Sequence, residues 1–258
     1  MSESFKQAVG SVDASELARF AKLGDSWWDL SGPQRALHKM NPLRVGYLRD
    51  LFCAHFPLGS GPRDRKGKQP LAGLRLVDLG CGGGLLAEPL ARLGAQVTAV
   101  DPAEENILAA RRHAEAGGLT IDYRPVTVES LAESGETFDA VLAMEVLEHV
   151  ADVDGFLRAA ARLVRPGGLL VGATLNRTLK SYALAIVGAE YVLRWVEPGT
   201  HDWSKFLRPE QLLKPLVAEG LTEIDRAGVV YHPLRDRWRL SGDTDVNYIL
   251  ALARPSAT

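Results

Sequence analysis

The stretch Leu74–Gly84, LRLVDLGCGGG, decides the fold of this chain. Its Leu and Val residues predict a short buried parallel strand, its glycines predict a tight loop, and Leu85–Leu93 predicts a helix after the loop. Glycines let the backbone approach a ligand, and the first N–H groups of a helix point at that ligand. Strand, loop and helix in this order are therefore typical of a nucleotide-binding site.

On both sides of this stretch, helix and strand patterns alternate along the chain. Strand-like runs occupy 75–79, 96–100, 120–124, 138–143 and 169–173, with helical patterns between them. This alternation predicts right-handed βαβ units and a mostly parallel sheet covered by helices on both faces. Two further runs, 224–230 and 247–253, predict an antiparallel hairpin at the sheet edge. We expect an α/β fold with a seven-stranded sheet.

Length and composition favour one domain with appendages. The chain has 258 residues, of which 46% are hydrophobic and 24% are charged. That is enough for one sizeable core. The Pro-, Gly- and charge-rich segment 57–70 predicts a linker. We expect residues 1–56 to form an N-terminal helical cap and residues 71–258 to form the core, with an insert at about 176–203.

Within the cap, two features leave alternatives open. Trp27 and Trp28 precede a Gly-Pro loop, and they either pin the N-terminal arm to the core or cap a ligand cleft. Pro42 predicts the first turn of a helix that carries Arg44. From spacing alone, Arg44 is an ordinary solvated charge.

Charge and cysteine content narrow the class of protein. A net charge of −2 gives no reason to expect a nucleic-acid partner. Cys53 and Cys81 match no metal or redox spacing, which indicates reduced thiols. The first 20 residues lack the basic and apolar regions of a signal peptide. We therefore expect a cytoplasmic protein without a spanning helix.

The residues around the glycine loop indicate which nucleotide it binds. A dinucleotide fingerprint requires a third glycine at the position of Leu85, so Gly80 and Gly82 fit it only in part. Asp101 ends the next strand, where a carboxylate can accept both ribose hydroxyls. Asp78, before the loop, suits an ammonium group. These acids favour S-adenosylmethionine, with an NAD-linked oxidoreductase as the alternative.

Several motifs carry a resemblance to a known family. VDLGCGGG, VDP, FDAVLAMEVLEHV and LVRPGG together resemble the class I methyltransferases. SWWDL, LHKMNPLRVGY, TLNRTLKS, VGAEYVLR and GTHDW resemble the ubiquinone-biosynthesis O-methyltransferases, over nearly the whole chain. The resemblance implies a Rossmann-like fold and S-adenosylmethionine-dependent methylation of phenolic hydroxyls. The implied substrates are polyprenylated catechols or quinols at two steps, 2-polyprenyl-6-hydroxyphenol and 3-demethylubiquinol.

The same resemblance implies site residues by position. It places cofactor contacts at Arg44, Gly80, Asp101 and Met144, and so gives Arg44 a role that spacing alone does not. Class I methyltransferases usually place a backbone contact to the adenine in the segment after the third strand, which is Val128 here.

Glu145, Glu148 and His149 follow the fourth strand and are the candidate catalytic residues. If an α-helix begins there, the three side chains share one face. They would then suit a divalent cation such as Mg²⁺, which would acidify a catechol. Alternatively, His149 alone is the general base, or the segment only packs. His201 is the reserve base.

The insert predicts contact with a membrane. Residues 182–196 form a mostly apolar helical pattern with Lys180 and Arg194 near its ends. Such a helix suits the interface of an anionic membrane, or else a lid on the core. We expect peripheral membrane association and, as a further partner, a ubiquinone-biosynthesis complex. Other functions left open are methylation of another small molecule, of protein or of nucleic acid, and a non-catalytic S-adenosylmethionine-binding subunit.

Overall fold

The computed structural model describes residues 10–59, 61–184, 186 and 202–256. The helices are α1 Ala14–Ala21, α2 Arg35–His55, α3 Ala87–Arg92, α4 Glu104–Ala116, α5 Val128–Glu133, α6 Val153–Arg162, α7 Leu179–Ser181 and α8 Pro209–Ala218. The strands are β1 Arg75–Leu79, β2 Gln96–Val100, β3 Asp122–Arg124, β4 Phe138–Met144, β5 Val164–Leu175, β6 Thr222–His232, β7 Arg237–Ser241 and β8 Asn247–Ala253. Short 3₁₀ helices lie at Gly24–Trp28, Leu147–His149, Trp203–Lys205 and Pro233–Arg235.

All these strands form one sheet in the order β3-β2-β1-β4-β5-β8-β6-β7. Strands β1 to β5 pair in parallel, and β8 is antiparallel to both β5 and β6. The predicted α/β class is confirmed. The strand order changes direction between β1 and β4, and open sheets of this kind bind ligands at the carboxyl ends of the strands at such a point.

The described sheet has eight strands, so the predicted number of seven is wrong. The additional strand is β7, which pairs antiparallel with β6 at the sheet edge. Its sequence, RWRLS, is only five residues long and has two apolar residues, Trp238 and Leu240, because an edge strand needs little burial. The predicted antiparallel pairing of 224–230 with 247–253 is confirmed. The predicted hairpin at the sheet edge is wrong, because β7 lies between these two strands in sequence and forms the edge.

Both faces of the sheet are covered because alternate strand residues point to opposite sides. On one face, Leu76 and Leu142 pack in a cluster with Phe52 of α2. On the other, Val141 packs in a cluster with Phe156 of α6. Central strands buried on both faces are mostly apolar, as Leu76, Val77 and Leu79 of β1 are.

Helix α2 begins at Arg35, so Pro42 lies inside it and not in its first turn. The predicted start at Pro42 is wrong. A proline interrupts the backbone hydrogen bonding of a helix, yet here the helix is held by packing, with Leu48 and Phe52 completely buried. The Asn41 side chain also donates to the backbone oxygen of Leu85, 2.6 Å away, which ties α2 to the segment after the glycine loop.

The predicted linker, 57–70, is held to the residues on both sides of it by the Arg63 side chain. Arg63 donates to the backbone oxygens of Phe56, Pro70 and Ala72 at 2.9, 3.1 and 2.8 Å. The division into cap, linker and core stays a prediction. Among the helices that the structure describes, none combines the length and apolarity needed to cross a membrane.

Candidate active site

The glycine loop lies at the carboxyl end of β1, and its geometry requires glycine. Gly80 and Gly82 have φ values of 70° and 52°, in the left-handed region that side chains disfavour. A Cβ on Gly80 would collide with the Val146 side chain, and one on Gly82 would lie 2.5 Å from the Trp27 ring. The loop therefore allows close approach of the backbone to other groups.

Asp101 lies beside this loop, directly after β2. Its Oδ2 accepts from the Gly82 N–H at 3.0 Å, and its Oδ1 accepts from the Ala103 N–H at 2.9 Å and the Asn106 amide at 3.1 Å. Burial raises the pKa of Asp101, and the three donors act in the opposite direction. The carboxylate is thus fixed at the predicted position at the end of the second strand.

Arg44 and Asp78 are buried groups of opposite charge, and the hydrogen-bonding capacity of each is not used up. Each residue is only 3% exposed. Arg44 Nε and Asp78 Oδ2 have no hydrogen-bond partner in the described structure. Burial raises the pKa of Asp78 to about 7, although the Arg44 charge lowers it. Unsatisfied buried charges are costly, so these two groups are suited to a ligand that carries both charges.

One cavity unites most of the predicted site residues. It is lined by the loop and by Asp101, Val128, Glu145 and His149. Met144 immediately precedes Glu145 in the chain, and its side chain is buried in the core cluster that also contains Leu142. The cavity thus lies at the carboxyl ends of β1, β2 and β4. Arg44, Asp78 and Met144 are not among the residues that line it.

The N-terminal arm covers the glycine loop. Trp27 is 6% exposed, and its indole N–H donates to Asn106 Oδ1 at 2.9 Å. Trp28 donates to the backbone oxygen of Gly83 at 2.9 Å, and its ring stacks on His113. Both tryptophans therefore pin the arm to the core, and Trp27 also lines the cavity, so both interpretations left open by the sequence are supported.

The predicted shared face of Glu145, Glu148 and His149 is wrong. Glu145 has a φ of 58°, which prevents an α-helix from beginning there, and only a 3₁₀ turn at Leu147–His149 follows. Glu145 Oε1 accepts from Asn247, and Glu148 Oε2 accepts from the Thr174 hydroxyl. The three side chains consequently point to different partners.

This arrangement does not fit a metal ion held by those three residues. His149 Nδ1 lies 3.1 Å from Glu16 Oε2, away from the partners of the two glutamates. Within the described ranges, no group of three or more His, Cys, Asp or Glu side chains is placed to hold a metal ion. His201 and most of 182–196 lie outside the described residues.

Glu145 is the second carboxyl group of the site with a pKa near neutrality. Burial, and then repulsion from Glu148, raises the pKa of Glu145 to about 7, whereas Arg44 and His149 lower it. Its left-handed backbone conformation is uncommon for a residue with a side chain, and such strain is concentrated at functional sites.

The sequence did not indicate three residues that complete the site, namely Glu16, Asn106 and Asn247. Asn106 lies five residues after Asp101, on the first turn of α4, so a short-range signal existed. Glu16 and Asn247 contact residues 133 and 102 positions away. Such contacts are created by the fold, and no local spacing predicts them.

Comparison with known proteins identifies what the chain is similar to. A family model described as a methyltransferase domain matches residues 77–172. The ubiquinone biosynthesis O-methyltransferase of Methylocella silvestris is 58% identical, over 98% of this chain and 99% of the relative. That of Methylobacterium sp. (strain 4-46) is 56% identical, over 96% and 97% of the two chains.

Solved structures show the same fold at low identity. Magnesium protoporphyrin IX methyltransferase from Synechocystis, with bound SAH, gives a TM-score of 0.61 at 20% identity, covering 93% of this chain and 99% of that chain. A possible histamine N-methyltransferase from Thermotoga maritima gives 0.60 at 17% identity, covering 93% and 98%. At these identities the likeness shows the fold alone.

Proposed function

The chain belongs to the ubiquinone biosynthesis O-methyltransferase family, and from this premise we propose its substrates and the roles of its residues. It is an S-adenosylmethionine-dependent O-methyltransferase of ubiquinone biosynthesis. Its acceptors are phenolic hydroxyls of polyprenylated catechol intermediates, 2-polyprenyl-6-hydroxyphenol and 3-demethylubiquinol.

The observation that carries the choice of donor is the buried pair Arg44 and Asp78. S-adenosylmethionine has a carboxylate and an ammonium group at one end and a ribose at the other. Arg44 Nε and Asp78 Oδ2 are buried without partners, and they match the two charges of the amino-acid end. Asp101, at the next strand end, matches the ribose hydroxyls.

The remaining residues would complete the donor site. Gly80 and Gly82 would bring the backbone close to the donor, and Val128, at the start of α5, would contact the adenine. When bound, S-adenosylmethionine supplies an electrophilic methyl carbon, which the acceptor oxygen takes as the C–S bond breaks and its electron pair stays on sulfur. The protein has to align these atoms and expose the nucleophile.

His149 is the proposed general base. A phenol with a pKa of about 10 is only roughly 0.1% ionised at pH 7, a deficit of about 4 kcal/mol for the reactive form. His149 lines the same cavity as the glycine loop. Its imidazole can take the phenolic proton and release it to water. Because Glu145, Glu148 and His149 face different partners, we derive no step through a metal.

The surface around α7 supports peripheral association with an anionic membrane. Leu179 is 82% exposed and Tyr182 is 48% exposed. These residues directly precede or begin the apolar segment 182–196. A polyprenyl substrate resides in lipid, so contact with the membrane surface, or with other enzymes of the same pathway, would deliver it to the cavity.

A pair of arginines on α2 provides the test of the donor site. We expect Arg44→Met to weaken S-adenosylmethionine binding roughly ten- to hundred-fold, because it removes a charge-assisted hydrogen bond of about 1.5–3 kcal/mol. Arg49→Met is the matched control on the same helix, since Arg49 pairs only with the neighbouring Asp50 in the described structure. Titration calorimetry measures both. Equal affinities of the two variants would contradict the assignment.

A further inference from the structure

Glu16, on α1, contacts His149 from the N-terminal arm. Glu16 Oε2 lies 3.1 Å from His149 Nδ1. The Phe20 ring meets the imidazole edge-on, with 4.8 Å between ring centroids. The side chains of Glu16 and His149 are 16% and 19% exposed, so solvent weakens their interaction only in part.

Glu16 is held in its charged form. Lys205 Nζ lies 3.2 Å from Glu16 Oε1, and an Arg19 guanidinium nitrogen lies 2.8 Å from Oε2. The hydrogen bond with His149 first, and then the charges of His149 and Arg19, lower the pKa of Glu16 to about 2 against the effect of burial. Glu16 is therefore a carboxylate throughout the neutral range and can only accept hydrogen bonds.

An acceptor at Nδ1 determines where the imidazole proton lies. The nitrogen that faces a carboxylate must carry a proton, so in neutral imidazole the lone pair is on Nε2. We propose that Glu16 is a positioning residue that holds His149 as the Nδ1–H tautomer and presents Nε2 to the acceptor hydroxyl. This inference rests on the proposed function, in which His149 receives the phenolic proton.

The backbone keeps the two residues together. Ser11 and Val12, just before α1, meet the loop that follows His149: the Ala151 N–H donates to the Ser11 oxygen at 2.8 Å, and Val12 forms an antiparallel bridge with Val150. Helix α1 is thus attached to the loop that carries the base. Loss of the Glu16 carboxylate alone should leave this attachment in place.

The proton balance of the step is simple. The phenolic O–H bond breaks, its proton passes to Nε2, and the resulting imidazolium carries a proton on both nitrogens. Glu16 stays ionised and stabilises the imidazolium. Besides Glu16, the charged groups around this pair are Arg19, Lys205, Asp13 and Glu145. Release of the proton to water restores the starting tautomer.

Nitrogen NMR of the full-length protein tests the tautomer directly. We expect ¹⁵N-histidine labelling to show His149 with a protonated Nδ1 and an unprotonated Nε2 at pH 8, with the signal assigned by its loss in His149→Asn. In Glu16→Gln, the amide can donate or accept, so the preference for Nδ1–H should be lost. An Nε2–H tautomer in the native protein, or an unchanged spectrum in Glu16→Gln, would overturn the proposal.

Kinetics separate positioning from a merely structural role. We expect Glu16→Gln to lower kcat roughly ten- to hundred-fold with little change in KM for S-adenosylmethionine. Glu16→Asp should recover part of the rate.

The matched control is Asp13→Asn. Asp13 caps α1. Like Glu16, it contacts Lys205, but it has no contact with His149. Asparagine also caps helices, so kcat and the Nδ1–H signal of His149 should stay as they are in the native enzyme. A loss of kcat in Asp13→Asn equal to that in Glu16→Gln would reduce Glu16 to a structural contact. Undiminished turnover of His149→Asn would refute the base assignment in the proposed function, whereas the NMR result on the tautomer would stand by itself.

Discussion

At the scale of single residues, Asp78 and Glu145 are the carboxyl groups whose ionisation changes near neutral pH. Burial raises the pKa of each to about 7. An acid whose pKa is higher in the folded than in the unfolded state costs stability once it ionises, so the free energy of unfolding falls as pH rises from about 4 to 7. A cationic ligand group beside Asp78 would reverse this cost.

Asp78 therefore predicts how cofactor binding depends on pH. If the ammonium of S-adenosylmethionine lies at Asp78, binding favours the carboxylate, and affinity should rise as pH increases through about 7. We expect Asp78→Asn to bind S-adenosylmethionine more weakly than the native enzyme at pH 8. Its affinity should also rise less than the native affinity between pH 6 and pH 8. Calorimetry from pH 6 to 8 measures it, with Asp64→Asn in the predicted linker as control. A native affinity that falls over this range would contradict the assignment.

How far single residues could be predicted depended on the distance to their partners in the chain. The glycines and Asp101 were predicted from local spacing because loop and strand end define their surroundings. Arg44 required the family resemblance, since the acids that surround it, Asp78 and Glu145, come from other elements. No feature of the sequence indicated a role for Glu16.

At the scale of elements, two short segments explain two of the wrong predictions, the shared face after β4 and the number of strands. The left-handed conformation of Glu145 turns an expected helix start into a 3₁₀ turn, and nothing in the letters EVLEHV specifies that conformation. Strand β7 has only five residues, two of them apolar, and lies at the edge of the sheet. Periodic hydrophobic patterns in the sequence indicate buried helices and strands. The turn after Glu145 and the edge strand β7 are too short to show such a pattern.

Replacing Gly46 or Gly82 by alanine should change the free energy of unfolding in opposite directions. Gly46, inside α2, has nothing within 4 Å of an added Cβ. Gly46→Ala should raise the free energy of unfolding by about 0.5–1 kcal/mol, because alanine loses less backbone entropy in a helix. Gly82→Ala should lower it by about 1–3 kcal/mol, because its φ is positive and the Trp27 ring occupies the space.

Urea unfolding of both variants measures these changes, and S-adenosylmethionine titration should show weaker binding only for Gly82→Ala. Native affinity and native stability of Gly82→Ala would show that the loop does not need glycine at this position.

At the scale of the whole molecule, the sheet order brings the functional groups together. Because β1, β2 and β4 are neighbours, their carboxyl ends place Gly80, Asp101 and Glu145 around one cavity. The N-terminal arm then closes it from the opposite end of the sequence. The alternation of helices and strands was enough to predict the sheet, but the closure depends on contacts between distant segments.

Membrane association is a property of the whole molecule and has its own test. We expect the protein to co-sediment with vesicles containing anionic lipid, less so at high salt, and not with neutral vesicles. Replacing 182–196 by a short Gly/Ser linker should abolish sedimentation while leaving S-adenosylmethionine affinity unchanged. If the native protein does not sediment with anionic vesicles, the interfacial role of this segment is refuted.

The central claim is that this chain methylates a catechol hydroxyl with His149 as the base. The direct measurement is transfer of a radiolabelled methyl group from S-adenosylmethionine to a polyprenyl catechol, in the presence of a metal chelator, by the native enzyme and by His149→Asn. We expect full transfer by the native enzyme in chelator and a loss of roughly 10²- to 10⁴-fold in the variant. No transfer by the native enzyme, or transfer that chelation abolishes and Mg²⁺ restores, would contradict it.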